Sequence, residues 1–412
     1  MRYARAKIAA PPRATLRALG ARDGWLLESS DALRVGFGGS YLDVDLGAGL
    51  ARNDEASLAL KDIELAGDDG PPGSGVVAFA TLPFDRFASG QLCVPRYVVT
   101  VVADGDAWIS APEGDHGWRD ALEVVAEPTQ EPQSLRSLTL QPTPEQYAHH
   151  VAQAVEILRR KEVDKVVLAR AVLGSVTDDV DPAALIARLK VREPICTLYS
   201  MPTNDRRRFV GASPELLVRR DGDLVQCHPL AGTIALPANV APDDYQNWLL
   251  GSTKNLHEHG VLVDEVMRSL SSLYDDITAD AQPSIVTLRT VAHLGTWITA
   301  VNHAPEAPDA LTVLRLLHPT AAVGGIPRER ADELIRQLET HDRGHYAGPL
   351  GWIDANGDGE WWVGIRGVLL DGANFEAWAG AGIVSESDPI AEREETRDKL
   401  QSVLSSLLVE RF

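Results

Sequence analysis

The sequence has 412 residues, enough for one large domain or up to three small ones, and its 44% hydrophobic and 24% charged residues are those of a packed globular chain. With 39 Lys plus Arg against 59 Asp plus Glu, the formal net charge is -20, a field that repels nucleic acid and anionic lipid. An anionic ligand must therefore be held by a few local cations or by a metal.

The start, Met1–Pro12, is basic but has no apolar run, and no later stretch approaches the ~18 apolar residues of a membrane span. Three scattered cysteines, Cys93, Cys196 and Cys227, make neither a disulfide framework nor a zinc quartet. A cytoplasmic protein with no membrane segment is expected. Short β-rich segments follow at Gly24–Glu28, Val76–Ala80, Tyr97–Val102 and Trp108–Ser110. The Pro-, Gly- and charge-rich stretch Glu113–Pro144 is the one candidate linker, with a surface excursion of the same domain as the alternative. A helix is predicted from the cap Thr143, with Pro144 in its first position, Gln146 completing a capping box, and Tyr147, Val151, Val155 and Leu158 on one face. Next come an apolar strand at Val163–Val172, a helix at Pro182–Lys190, and strands Phe209–Arg220 and Leu224–Pro229 joined at Asp221-Gly222. The pattern then predicts a helix over Ser252–Asp275, with Leu256, Val263, Met267, Leu270 and Leu273 as its apolar stripe. A second hairpin joins Tyr346–Asp354 to Glu360–Leu370, and a last helix starts after Asp388-Pro389. Strands and helices interleave without a βαβ rhythm, which predicts an α+β fold.

Asp354-Ala-Asn-Gly-Asp-Gly matches the first half of a calcium loop, but its twelfth position is Ile365 and both flanks read as strands, so a turn is expected. A non-catalytic calcium- or metabolite-binding protein using Asp354–Asp358 is the alternative from another functional class. His257 and His259, two apart on a helix, point to different sides and do not suggest zinc.

Several charged residues stand where the pattern asks for apolar ones: Lys165 opening a strand, Glu215 after a proline, Glu258 on the long helix, and Glu392, Glu395 and Lys399 on the last one. Positions 392, 395 and 399 share a helical stripe, and two carboxylates beside the core edge suit a hard divalent cation. The plain alternatives are a solvated helix face for Glu258, and for the last helix carboxylates near its positive N-terminus with an ordinary Glu395–Lys399 pair.

Six stretches carry a resemblance: Lys165-Val-Val-Leu-Ala-Arg, Gly211-Ala-Ser-Pro-Glu-Leu, His228-Pro-Leu-Ala-Gly-Thr, Ser252-Thr-Lys-Asn-Leu-His-Glu-His, His318-Pro-Thr-Ala-Ala-Val-Gly-Gly-Ile-Pro and Gly380-Ala-Gly-Ile-Val-Ser-Glu-Ser-Asp-Pro. In this order they resemble the successive signatures of the chorismate-utilising enzymes. They occupy residues 141–412, the catalytic part, with 1–140 as the β-rich N-terminal part of the same domain. Within the family the sequence most resembles the isochorismate synthase branch, which Leu82-Pro-Phe-Asp also fits.

The resemblance implies one large α+β domain with two stacked, mostly antiparallel sheets and helices packed outside. It implies a Mg2+-dependent isomerisation of chorismate to isochorismate, in which water attacks C2 while the C4 hydroxyl leaves. Lys165 matches the family's base and Glu215 its acid, roles that need a neutral amine and a protonated carboxyl. Glu258 and Glu395 match its magnesium ligands, with Glu392 near enough to act through water. Arg366 and Tyr346, with backbone amides around Gly380, Ala381 and Gly382, would bind the pyruvyl carboxylate, and Gly232, Thr233 and Lys399 match further substrate contacts. His293 matches a histidine near the site, although a structural histidine would look the same. Ala231 stands where the covalent aminodeoxychorismate enzymes carry a lysine, and anthranilate synthases lack the lysine at 165, so water is the favoured nucleophile. Salicylate synthase shares base, acid and metal ligands and stays as the alternative. Chorismate is the one partner expected, and the chain is expected to be a monomer.

Overall fold

The computed structural model describes residues 2–203, 205, 207–236 and 242–409. Two long strands, Ala32–Ala48 and Ser89–Val102, pair antiparallel along their length, with register shifts near Ser40 that let both bend. Each also pairs on its other edge, so the hydrogen bonding runs on without a break into two layers. The first sheet continues from Ala32–Ala48 through Trp25–Glu28, Thr197–Pro202, Arg208–Ser213, Gly367–Asp371, Asn374–Ile383, Lys165–Val176 and Leu135–Gln141. The second continues from Ser89–Val102 through Val77–Thr81, Pro349–Asp354, Gly359–Val363, Leu216–Asp221, Leu224–His228 and Ile298–Val301.

The two sheets stack. Trp25, Leu27, Tyr199 and Met201 of the first pack with Val77, Phe79, Leu350 and Trp352 of the second in one buried cluster. On the far side of the first sheet the helices Arg13–Asp23, Pro182–Arg192 and Pro389–Leu407 bury Leu16, Leu185 and Leu400. The helices Thr253–Leu270 and Ala310–Leu317 bury Leu262 and Leu311 against Leu217 and Val225 of the second. A separate three-stranded sheet, Leu230–Ala235, Val291–Gly295 and Ser284–Thr287, lies beside the long helix. The architecture is thus the expected α+β one, with stacked antiparallel sheets and outer helices.

The helix Pro144–Arg159 carries the full capping box: Gln146 N–H donates to Thr143 Oγ1 and Thr143 N–H to Gln146 Oε1, a device that stabilises a helix by about 1 kcal/mol. Asp354 and Asp358 sit in a hairpin turn. Asp354 accepts from the N–H groups of Gly73, Asn356 and Asp358, and Asp358 from Arg220 and the Gly222 N–H, so both carboxylates are spent on the turn. The three cysteines are free and buried, and no helix among the described residues is long and apolar enough to cross a membrane.

Three sequence expectations are corrected. The stretch Glu113–Pro144 is not a linker: it contains the helix Trp118–Glu123 and the strand Leu135–Gln141, whose Leu138 and Leu140 pack on the core. Phe209–Arg220 is two strands, Arg208–Ser213 and Leu216–Asp221, and Glu360–Leu370 likewise breaks between Val363 and Gly367. The buried face of the long helix is Asn255, Glu258, His259, Leu262, Val266 and Leu270, while Leu256 is 39% exposed and Leu273 37%. Apolar periodicity misses the start of this face because its first turns bury the polar residues Asn255, Glu258 and His259, while Val263, Met267 and Leu270 of the expected stripe do pack on the core.

Candidate active site

The candidate side chains gather where strands are interrupted. Lys165 begins the strand Lys165–Val176 and its side chain is fully buried. On the adjacent strand, a Cβ at Gly382 would stand 2.0 Å from Glu258 Oε1, so only a glycine there admits the Glu258 carboxylate. Glu258, carried by the long helix, then lies 3.1 Å from Lys165 Nζ. Burial alone would favour its neutral form, but Lys165, Lys254 and Lys399 outweigh it and hold the carboxyl below its ordinary value.

Glu215 follows Pro214, which has no N–H to donate and ends the strand pairing. The side chain is 4% exposed. Burial pushes its carboxyl up to about 7, against the Leu230 N–H and the fields of Lys165 and Lys399. A substantial fraction is therefore protonated near neutral pH.

Arg366 lies in the second break, with φ +55, a left-handed backbone that is uncommon for a residue other than glycine and often marks a functional site. Its guanidinium is buried; Nη1 donates to the Lys399 carbonyl at 3.3 Å, and Nη2 lies 3.1 Å from His293 Nε2. A guanidinium only donates, so Nε2 accepts and Nδ1 carries the proton, which it donates to Thr233 Oγ1 at 3.0 Å. Burial, then the cations Arg366 and Lys399, hold His293 well below the ordinary imidazole value, consistent with this neutral tautomer. Gly232, at φ +73, lets the strand bulge beside Thr233. Tyr346 stacks on Trp378 with centroids 5.6 Å apart, and burial pushes its hydroxyl up to about 12.

A single cavity is lined by Glu215, Thr233, Glu258, His293, Tyr346, Arg366, Gly380, Gly382 and Lys399. Lys165 reaches it through Glu258, and Ala381 is buried between the two lining glycines. Glu392 and Glu395 are not in this cavity but in an adjoining recess that shares Thr233 with it. Each candidate metal-binding carboxylate is paired with a lysine: Glu258 with Lys165, Glu392 with Lys254 at 2.5 Å, and Glu395 with Lys399 at 2.6 Å. Lys399 also donates to the Gly380 carbonyl at 3.0 Å, tying the last helix to the strand Asn374–Ile383. Glu258 is 8% exposed, which excludes a solvated helix face; Glu392 is 1% exposed, and burial and the neighbouring Glu395 push its carboxyl up to about 7.

Among the described residues, no three His, Cys, Asp or Glu side chains form a ready-made metal cluster. The donors nonetheless fit a hard divalent ion in kind: they are carboxylate oxygens, and the crowding of Glu392 by Glu395 is what such a cation would relieve. Sequence reasoning missed Trp378, Lys254 and Arg343. Arg343 is buried, donating to the carbonyls of Val323 at 2.7 Å and Val167 at 2.8 Å and so bracing the cavity wall. Lys254 lay inside a quoted motif, whereas nothing in the local pattern marks Trp378 or Arg343.

A family model described as chorismate binding enzyme matches residues 59–408. The chain belongs to this family. It is 32% identical over 340 residues to isochorismate synthase MenF of Bacillus subtilis, covering 80% of this chain and 72% of the relative. It is 35% identical over 333 residues to the vibriobactin-specific isochorismate synthase of Vibrio cholerae (81% and 79%), and 33% over 332 residues to isochorismate synthase EntC of Escherichia coli (80% and 80%). The solved structure of MenF, the menaquinone-specific isochorismate synthase from Escherichia coli, superposes with a TM-score of 0.80 at 25% identity, covering 98% of this chain and 94% of that one. Anthranilate synthase component I from Streptococcus pneumoniae shares the fold, with a TM-score of 0.75 at 21% identity over 91% and 92%.

Proposed function

We propose that the protein is an isochorismate synthase, an isomerase that converts chorismate to isochorismate. One observation carries the reading: a single cavity joins a buried carboxyl with a value near 7, Glu215, to the buried Lys165–Glu258 pair and to the guanidinium of Arg366.

In this reading, Arg366 takes a carboxylate of the substrate, a job for which a planar guanidinium is well shaped. His293 accepts from its Nη2 and, through Thr233, fixes its direction without adding charge. Tyr346 and the backbone around Gly380 complete the carboxylate site, and Lys399 holds that strand. Lys165 acts as the base and takes a proton from the water that forms the new C2–O bond. The electron pair moves across the ring diene, the C4–O bond breaks, and Glu215 gives its proton to the departing hydroxyl. One water is consumed and one released, and the proton on Lys165 returns to Glu215 through solvent.

Magnesium would be held by Glu258 and Glu395, with Glu392 acting through water, and when bound it supplies counter-charge for the ring carboxylate. The enzyme is read as a cytoplasmic monomer, so light scattering should give the chain mass of 44.6 kDa. Incubation with chorismate and magnesium, coupled to lactate dehydrogenase, tests the activity. Chorismate consumption without pyruvate supports it, whereas one pyruvate per chorismate would make the protein a salicylate synthase. Lys165→Ala is expected to stop consumption.

A further inference from the structure

Three lysines face three carboxylates at this site, and two already have work: Lys165 as base and Lys399 as the brace on Gly380. Lys254 has none. Its Nζ makes its one hydrogen bond among the described residues to Glu392 Oε1, at 2.5 Å, where Glu392 is nearly inaccessible to solvent. It stands one helical turn before Glu258, at i,i+4, in the recess that holds Glu392 and Glu395, and it interacts electrostatically with all three carboxylates. Its own side chain is 30% exposed, so the ammonium has a way out to water that needs no change in the helix.

We propose that Lys254 is a resident cation of the carboxylate cluster: it occupies Glu392 when no metal is bound, is displaced when a divalent ion arrives, and thereby lowers the affinity for that ion. The inference rests on the reading that Glu258, Glu392 and Glu395 hold the metal. Glu392 and Glu395 repel each other and are poorly solvated without a cation, and a single ammonium on a flexible stem, which also feels Glu258, meets that need reversibly. A divalent ion then enters by exchange, and its binding energy is reduced by the energy of the pair it breaks. Lys254 is a positioning residue, since it need not touch the substrate.

The test is direct binding of manganese(II) to the full chain, read from the loss of the free-ion signal in electron paramagnetic resonance. Removing the competing ammonium with Lys254→Met is expected to tighten binding about tenfold or more, consistent with the coupling of close charge pairs. Lys254→Arg, which keeps the charge, should bind no more tightly than the parent. The tightening should persist in about 0.5 M potassium chloride, because a desolvated pair escapes screening whereas a general field effect does not. Without metal, Lys254→Met should melt below the parent, and saturating manganese should restore it. Unchanged or weaker binding in Lys254→Met, equal tightening in Lys254→Arg, or loss of the effect in salt would each overturn the proposal. A parent chain that binds no manganese would overturn the metal reading itself, and this inference with it.

Discussion

Replacing Glu215 by Gln tests the acid assignment through stability as well as rate. Burial raises the carboxyl from an ordinary 4.5 to about 7, so the folded protein holds its proton more tightly than the unfolded chain does. The stability this proton contributes is complete below 4.5 and is lost as pH rises through about 7. At about 1.4 kcal/mol per pH unit, ionised Glu215 costs the fold about 3 kcal/mol once both states are deprotonated. Gln mimics the protonated form and carries no such cost, and it can still accept from the Leu230 N–H. The variant should therefore be about 1 kcal/mol more stable than the parent at about pH 5, and about 3 kcal/mol more stable at about pH 8. Urea denaturation of both proteins at the two pH values reads this difference. At the same time turnover should fall by about 10²- to 10⁴-fold, the usual worth of a general acid. A stability difference that is flat between the two pH values, or one that favours the parent at pH 8, would refute the buried-acid argument.

Parent turnover should decline above about pH 7, because the acid must be protonated; a profile that is flat up to pH 9 would remove Glu215 from that role. Arg366→Lys loses the two-pronged contact and should raise KM for chorismate about 10- to 100-fold in steady-state kinetics, with little change in fold by circular dichroism. Gly382→Ala places a methyl where Glu258 Oε1 now lies, and by displacing that carboxylate should weaken manganese binding about tenfold while costing about 1–3 kcal/mol in stability. Glu395→Gln should raise the magnesium concentration needed for half-maximal rate by about 10- to 100-fold, with melting close to that of the parent, since Leu400, Val403 and Leu407 still anchor its helix. An unchanged magnesium titration would exclude Glu395 as a ligand.

Local chemistry was readable wherever one residue type answers one backbone need. The Thr143 capping box, the Asp221-Gly222 turn and the helix after Asp388-Pro389 all appear in place. The motifs likewise pointed to Glu215, Glu258, Arg366 and Lys399, which one cavity brings together. What was hidden follows from long-range packing. No periodicity announces that the pairing of Ala32–Ala48 with Ser89–Val102 runs on into two layers, or that the breaks at Pro214 and Ile365 present Glu215 and Arg366. The stripe holds at Leu270, which is buried, and at Val263 and Met267, which pack on the core, but Leu256 and Leu273 are exposed while the polar Asn255, Glu258 and His259 face inward, His259 satisfied by Thr296 at 2.7 Å. The net charge of -20 also proves to be a poor guide to the interior, where lysines neutralise the carboxylates one by one.

The central claim is that water attacks C2 as the C4 hydroxyl departs, and turnover of chorismate in 18O-labelled water tests it most directly. At early conversion, mass spectrometry should show isochorismate carrying one heavy oxygen, which carbon-13 shifts place on C2. Unlabelled isochorismate, heavy oxygen on a carbon other than C2, or no turnover with magnesium present would contradict the account.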